Sequence, residues 1–371
     1  MSQALNQLRI AGFPGRYLQG SGALGAIGTV ARELAGRRLL VVSDDIVDAA
    51  VGGRLHEQLR AESMPVERLR FGGECTPAAI ASLAQQVSAR DGDVVVGLGG
   101  GKTIDTAKGV SKAMGARLIV VPTIASNDSA TSRLIVLYDD AHRVQGVDLL
   151  PRNPDAVVVD TREIARAPVR FFRAGIGDAL SKTFEAAQCA RAGGLNFHGG
   201  RPPRTAGALG DYCYSLLRDH GEAAVEAVTA GRCTDAVEDV TEATVLLSGL
   251  AFESGGLSIA HALLRGLTGV PALLHALHGE MVAFGTLVQL VLEDRPGSRV
   301  TDYLALLGRI GLPASLGALG KASLSDDELE TVAALTLAAP YIRNFDRVLD
   351  GTALRRAIIE ADRLGSSISP R

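Results

Sequence analysis

Asp93-Val94-Val95-Val96-Gly97-Leu98 runs without a break into Gly99-Gly100-Gly101-Lys102-Thr103-Ile104-Asp105-Thr106-Ala107-Lys108. The first part reads as a nearly all-apolar strand, and the second opens a helix expected over about 103–114. Glycines let a backbone approach a pyrophosphate closely, and the N–H groups at a new helix's start favour negative charge. Lys102 adds a counter-charge. Two familiar loops are excluded. The first glycine of a Walker A loop would fall on Val96, and the third glycine of a G-x-G-x-x-G turn would fall on Lys102. A tight strand-to-helix turn without a ligand is the competing reading; three glycines followed by Lys-Thr favour phosphate.

Outward from this stretch the same alternation repeats. Strands are expected at 38–43, 66–71, 118–122 and 156–159, with helices to about 62 and over 77–90. A hairpin is expected within 133–147, around Asp139-Asp140. Continuous apolar strands alternating with helices predict a parallel, Rossmann-like sheet covered on both faces. From about Thr161 the strand signal stops, and helical period dominates 169–191, 206–230, 236–252 and 276–292. A chain of 371 residues exceeds the size at which one core keeps growing. The expected domains are therefore 1–160, α/β and dinucleotide-binding, and 161–371, all-α, carrying metal and substrate. Their cleft is the expected meeting place of cofactor and substrate. Asp44, just after the first strand, has two open readings. It accepts from a ribose and repels a 2′-phosphate, or it caps a helix beside Asp45.

Composition narrows the function classes. A net charge of −3 gives no field favouring nucleic acid or an anionic membrane. No run approaches the roughly 18–20 apolar residues of a membrane span, and the N-terminal stretch lacks a secretory pattern. The four cysteines, Cys75, Cys189, Cys213 and Cys233, form no C-x-x-C pair. Free thiols in a reducing, cytoplasmic setting are expected rather than a zinc-thiolate site. Arg201 and Arg204, beside Pro202 and Pro203, read as solvated loop charge.

Of seven histidines, His261 lies in a glycine-started apolar run, and His278 lies in His275-Ala-Leu-His-Gly-Glu280 at a helix start. Asp178 sits in Gly175-Ile-Gly-Asp178 at the entry to a long helical segment. Each alone fits a core histidine or a helix cap. One carboxylate with two imidazoles would leave a metal an open coordination position, but spacing does not bring the three together.

The segments Gly99–Lys108, Pro122-Thr-Ile-Ala-Ser-Asn-Asp128, Gly175-Ile-Gly-Asp178, Phe252-Glu-Ser-Gly-Gly-Leu257 and His278-Gly-Glu-Met-Val-Ala-Phe-Gly285 occur in this order. With Pro14-Gly-Arg-Tyr-Leu-Gln-Gly20 and Phe71-Gly-Gly-Glu-Cys75, they resemble the glycerol dehydrogenases of the iron-containing alcohol dehydrogenase and dehydroquinate synthase-like superfamily. The likeness runs from about Phe13 to about Pro313. It implies a dehydroquinate synthase-like fold and NAD-dependent oxidation of glycerol or a related vicinal diol to the hydroxyketone, with zinc activating the hydroxyl and iron an alternative metal. It also implies homo-oligomers, commonly octamers. Asp44, Gly101, Lys102 and Asp105 match positions that hold the ribose and pyrophosphate, which the loop of Gly99, Gly100 and Gly101 is expected to anchor. Thr123, Ser126, Ser132, Leu134 and Tyr138 match further cofactor contacts. Asp178, His261 and His278 match metal ligands, Asp128 an acid that contacts the polyol, and Phe252 a pocket-lining position.

The chain departs from the family where His-Ala-x-His-Asn-Gly is usual. It reads His261-Ala-Leu-Leu-Arg-Gly266, losing a histidine at Leu264 and placing Arg265 for asparagine. Tyr341-Ile-Arg-Asn-Phe345 likewise replaces an Ile-His-Asn-Met-Pro-like stretch. Arg265 either faces solvent or a subunit contact, or favours an anionic substrate. The second case points to a glycerol-1-phosphate or hydroxyacid dehydrogenase, or to a cyclase of the same superfamily.

Overall fold

The computed structural model describes residues 5–88, 92–139 and 143–367. Arg90, Asp140 and His142 lie outside them. Eight strands occur among the described residues: β1 (Tyr17–Gly20), β2 (Arg38–Ser43), β3 (Val66–Arg70), β4 (Asp93–Gly99), β5 (Arg117–Pro122), β6 (Leu134–Tyr138), β7 (Val144–Leu149) and β8 (Ala156–Asp160). Six form one sheet in the order β1-β8-β5-β4-β2-β3, and every pairing in it is parallel. β6 and β7 form the expected antiparallel hairpin.

The strands occur where continuous apolar runs place them because β4 and β8 are buried along their whole length. Each fully buried Val or Leu contributes about 1.5–3 kcal/mol relative to exposure. β1 was not foreseen, since Tyr17-Leu18-Gln19-Gly20 is a half-buried edge strand without an apolar run. Helix Pro77–Gln86 begins on Thr76, whose side chain accepts from the Ala79 amide at 3.0 Å, with Pro77 in its first turn. Helix Gly101–Met114 ends on Gly115 in the left-handed conformation.

The compact units differ from a cut at residue 160. One comprises Gly12–Pro168 with Ala227–Leu246, the other Met1–Ala11, Val169–Glu226 and Leu247–Arg371. The helix Asp235–Thr241 belongs with the sheet for a polar reason. Glu238 accepts from Gln19 Nε2 at 2.8 Å and from Thr161 Oγ1 at 2.6 Å, tying it to β1 and to the end of β8.

The second unit is helical. The run expected over 169–191 is two helices, Val169–Ala179 and Lys182–Arg191, and the run over 236–252 is interrupted by a π-helical turn at Glu242–Leu247. Further helices include Ser248–Gly255, Ile259–Leu267, His278–Leu292 and Gly297–Ile310. The buried Tyr303 hydroxyl donates to the Ala283 carbonyl at 2.9 Å, fixing Gly297–Ile310 to His278–Leu292. Among the described residues, no single helix is long and apolar enough to cross a membrane.

All four cysteines are free, and only Cys233 is exposed. Burial pushes the Cys75 thiol up to about 11 and the Cys189 thiol up to about 12. A thiol-specific chromogenic disulfide reagent should therefore modify one thiol in the native protein and all four after denaturation. Rapid native modification of more than one would contradict this packing.

Candidate active site

Two close helix crossings build the site. A Cβ on Gly279 would collide with the Ala174 carbonyl, and one on Gly177 with the Gly279 carbonyl. The backbones of Val169–Ala179 and His278–Leu292 therefore touch directly, beside Asp178 and His278. On the other side of His278–Leu292, a Cβ on Gly285 would lie 2.6 Å from the Ala260 carbonyl. That crossing brings in His261 on Ile259–Leu267. The result is a triad of Asp178, His261 and His278 whose ligand atoms all lie within 4.8 Å of one another. His261 Nε2 is 3.2 Å, and His278 Nε2 3.6 Å, from Asp178 Oδ1.

Glu185, on Lys182–Arg191, holds His261 in place. Its Oε2 contacts His261 Nδ1 at 2.5 Å, and its Oε1 accepts from the Ser258 and His261 amides at 2.8 and 3.1 Å. One carboxylate thus caps the helix Ile259–Leu267 and turns Nε2 toward Asp178. Burial disfavours a charge on His261, yet Glu185 and Asp178 outweigh both burial and the Lys182 ammonium, holding the imidazole up at about 9. Burial would likewise raise Asp178, but Lys182 and His278 overcome it and hold the carboxyl well below its usual range. Glu280 fixes the entry to His278, accepting from the Leu277 amide at 2.7 Å and pairing with Arg170.

The donor set fits a divalent ion. Carboxylate plus imidazole suits zinc or iron, and buried Asp178 Oδ2 has no hydrogen-bond partner. Lys182 was not foreseen. Its ammonium lies 2.5 Å from Asp178 Oδ1 and 3.3 Å from His261 Nε2, fully buried. The i, i+4, i+7 spacing of Asp178, Lys182 and Glu185 was the available sequence signal.

Nearby, Phe252 packs edge-on against Phe197 at 5.4 Å, and Lys182 Nζ lies 5.7 Å from the Phe252 ring centre. Arg265 is exposed and donates to the Ala338 carbonyl at 3.3 Å.

In the α/β unit the glycine turn is constrained by its own chain. A Cβ on Gly99 would lie 2.8 Å from Thr103, on Gly100 2.9 Å from Ile124, and on Gly101 2.7 Å from Asn127. The Thr123 amide donates to the Gly99 carbonyl at 3.1 Å, clamping β5 to the turn. The N-cap of the following helix is Gly100, which brings no side chain to the helix start. Lys102 pairs with Glu74 at 2.7 Å, and its Nζ lies 4.7 Å from the Tyr138 ring centre. Asp105 is buried and divides its oxygens between Lys108 Nζ, at 3.0 Å, and the Val136 amide, at 2.9 Å. Lys108 also donates to the Ser129 and Leu134 carbonyls, tying the helix to β6. Thr123, Ser132 and Asp128 are buried, Ser126 is half-buried, and Leu134 is buried at the start of β6. Asp44 caps the turn after β2, accepting from the Val47 amide at 2.8 Å.

Residues 19–168 match the family model described as iron-containing alcohol dehydrogenase. A glycolaldehyde reductase of Halobacterium salinarum is 38% identical over 359 residues, 96% of this chain and 98% of that protein. A glycerol dehydrogenase of Thermotoga maritima is 43% identical over 323 residues, 86% of this chain and 87% of that protein. The crystal structure of glycerol dehydrogenase from Schizosaccharomyces pombe superposes with a TM-score of 0.94 at 35% identity, covering 98% of this chain and 92% of that one. The parallel sheet, the helical unit and these likenesses together make this chain a member of the iron-containing alcohol dehydrogenase family, akin to the glycerol dehydrogenases, with the dehydroquinate synthase-like fold that its sequence resembles.

Proposed function

We propose that this oxidoreductase transfers hydride from glycerol or a related vicinal diol to NAD, with a metal ion, zinc or iron, held by Asp178, His261 and His278. The observation that carries the metal reading is that the three ligand atoms lie within 4.8 Å of one another and that the carboxylate's other buried oxygen, Asp178 Oδ2, has no hydrogen-bond partner. Such an ion would act as a Lewis acid toward the substrate hydroxyl. Glu185 keeps His261 Nε2 aimed at Asp178, so the ligand geometry is set before substrate arrives. Phe252 supplies an apolar wall, and Asp128 orients a second hydroxyl or assists proton transfer.

For the cofactor, the start of Gly101–Met114, with glycine at its N-cap, supplies backbone N–H groups for a pyrophosphate. Lys102, held by Glu74 and Tyr138, places a cation beside that start. Asp105 supports this segment through Lys108 and the Val136 amide. Thr123, Ser126, Ser132, Leu134 and Tyr138 complete the proposed cofactor set. Asp44 combines its cap with discrimination against a 2′-phosphate. Arg265 turns to the Ala338 carbonyl, so it gives no support to an anionic substrate. Free thiols agree with a cytoplasmic setting, and homo-oligomers, octamers included, are the proposed assembly.

Purified protein should generate NADH from NAD with glycerol or 1,2-propanediol and reduce dihydroxyacetone or glycolaldehyde in reverse. Chelation should abolish turnover and zinc restore it; failure with every diol and hydroxycarbonyl would remove this function. Glu185→Gln should weaken zinc binding about 10- to 100-fold, read by calorimetry. Unchanged affinity would show that Glu185 does not orient His261. Asp44→Ala should cost about 1 kcal/mol of stability through the lost cap. It should also narrow the NAD-over-NADP preference in kcat/KM, and an unaltered cofactor ratio would leave Asp44 as a cap alone.

A further inference from the structure

The geometry points to Lys182 as a built-in competitor for the divalent ion, one that lowers the metal affinity of this chain. This inference rests on reading Asp178, His261 and His278 as metal ligands. Asp178 Oδ1 is the atom on which the site converges, with His261 Nε2 at 3.2 Å, His278 Nε2 at 3.6 Å and Lys182 Nζ at 2.5 Å. The same Nζ lies 3.3 Å from His261 Nε2, so the ammonium sits between two of the three ligand atoms. Lys182 and Asp178 are both 1% exposed, which leaves little solvent to screen a charge placed beside them.

An ammonium and a divalent cation cannot share one carboxylate oxygen at such distances without strong repulsion in a poorly screened interior. Metal entry therefore requires the ammonium to leave Asp178. The lysine stem is long enough to swing while its backbone stays in the helix Lys182–Arg191. The face of Phe252, 5.7 Å from Nζ, offers the displaced cation a place to settle. Work spent on this displacement is subtracted from metal binding, giving a site that loads weakly and exchanges readily. A neutral side chain at 182 removes that cost and leaves all three ligands in place.

The test compares metal-free full-length wild type with Lys182→Met, which keeps a similar stem without the charge. Cobalt(II) is titrated and followed by its visible ligand-field bands, and zinc binding is measured by calorimetry. Lys182→Met is expected to bind both ions at least about tenfold more tightly. It should also retain them through a desalting step that strips the wild type. Lys182→Thr makes the same charge change with a smaller side chain, and it replaces the methionine variant in the comparison if circular dichroism shows the latter misfolded. Affinities within about twofold of wild type would overturn the proposal. Weaker binding by the neutral variants would also overturn it, because lysine would then be a ligand. If neither wild type nor the lysine variants bind cobalt, the metal reading itself falls and this inference with it. Asp178→Asn fixes the assignment of the bands, which should disappear in that variant.

Discussion

Direct backbone contact between helices governs the geometry of the candidate active site. Val169–Ala179, His278–Leu292 and Ile259–Leu267 meet at Gly177, Gly279 and Gly285, with carbonyl oxygens where a Cβ would stand. A side chain at any of these crossings forces the helices apart or the carbonyls to shift, and overpacking of this kind costs about 1–3 kcal/mol. Each crossing lies next to a member of the triad in sequence: Gly177 before Asp178, Gly279 after His278, and Ala260 before His261. The triad is therefore a consequence of packing. Residues separated by most of a hundred positions become neighbours because glycine lets their backbones approach.

The site is costly to bury, and its charges answer one another. Asp178 and Glu185 are two carboxylates in the interior, matched by the Lys182 ammonium and by a His261 imidazole held up at about 9. Breaking such a cluster by removing one member costs about 3–5 kcal/mol, because the remaining charge stays buried without its partner. Glu185 contributes more than charge. Its three contacts join a helix start to a ring orientation, so the fold of Ile259–Leu267 and the aim of Nε2 depend on one carboxylate.

The legibility of these features in the sequence follows their physical origin. β2, β4, β5 and β8 occur where continuous apolar runs place them, because a parallel strand covered on both faces needs no alternation. β1 escaped notice as a half-buried edge strand, and the break at Leu180-Ser181 carries neither glycine nor proline. The segment 227–246 joins the sheet unit through Glu238, which reaches Gln19 from far along the chain, and no local pattern records such a bond. Within the site, Asp178, His261 and His278 came from resemblance. Lys182 and Glu185 follow Asp178 at four and seven positions, across the break at Leu180-Ser181, and this spacing acquires meaning only once Asp178 is known to be buried.

The glycine turn and the departures from the family pattern then take on different weights. Gly99 is demanded by the Thr103 Cβ, whereas Gly100 and Gly101 meet only the flexible ends of Ile124 and Asn127, so packing accounts for the first glycine alone. What the turn offers a pyrophosphate is the N–H groups at the start of the helix that follows, together with a lysine paired with Glu74. Leu264 and Arg265, the residues where the sequence leaves the family motif, lie on the more exposed side of a helix whose buried side carries His261. The residue that reaches the ligand atoms is instead a cation on the neighbouring helix, Lys182. On the proposed metal reading, a site whose donors suit a divalent ion, but whose centre is held by an ammonium, trades one positive charge for another each time it loads. That exchange depends on Lys182 rather than on the visibly altered stretch beside His261.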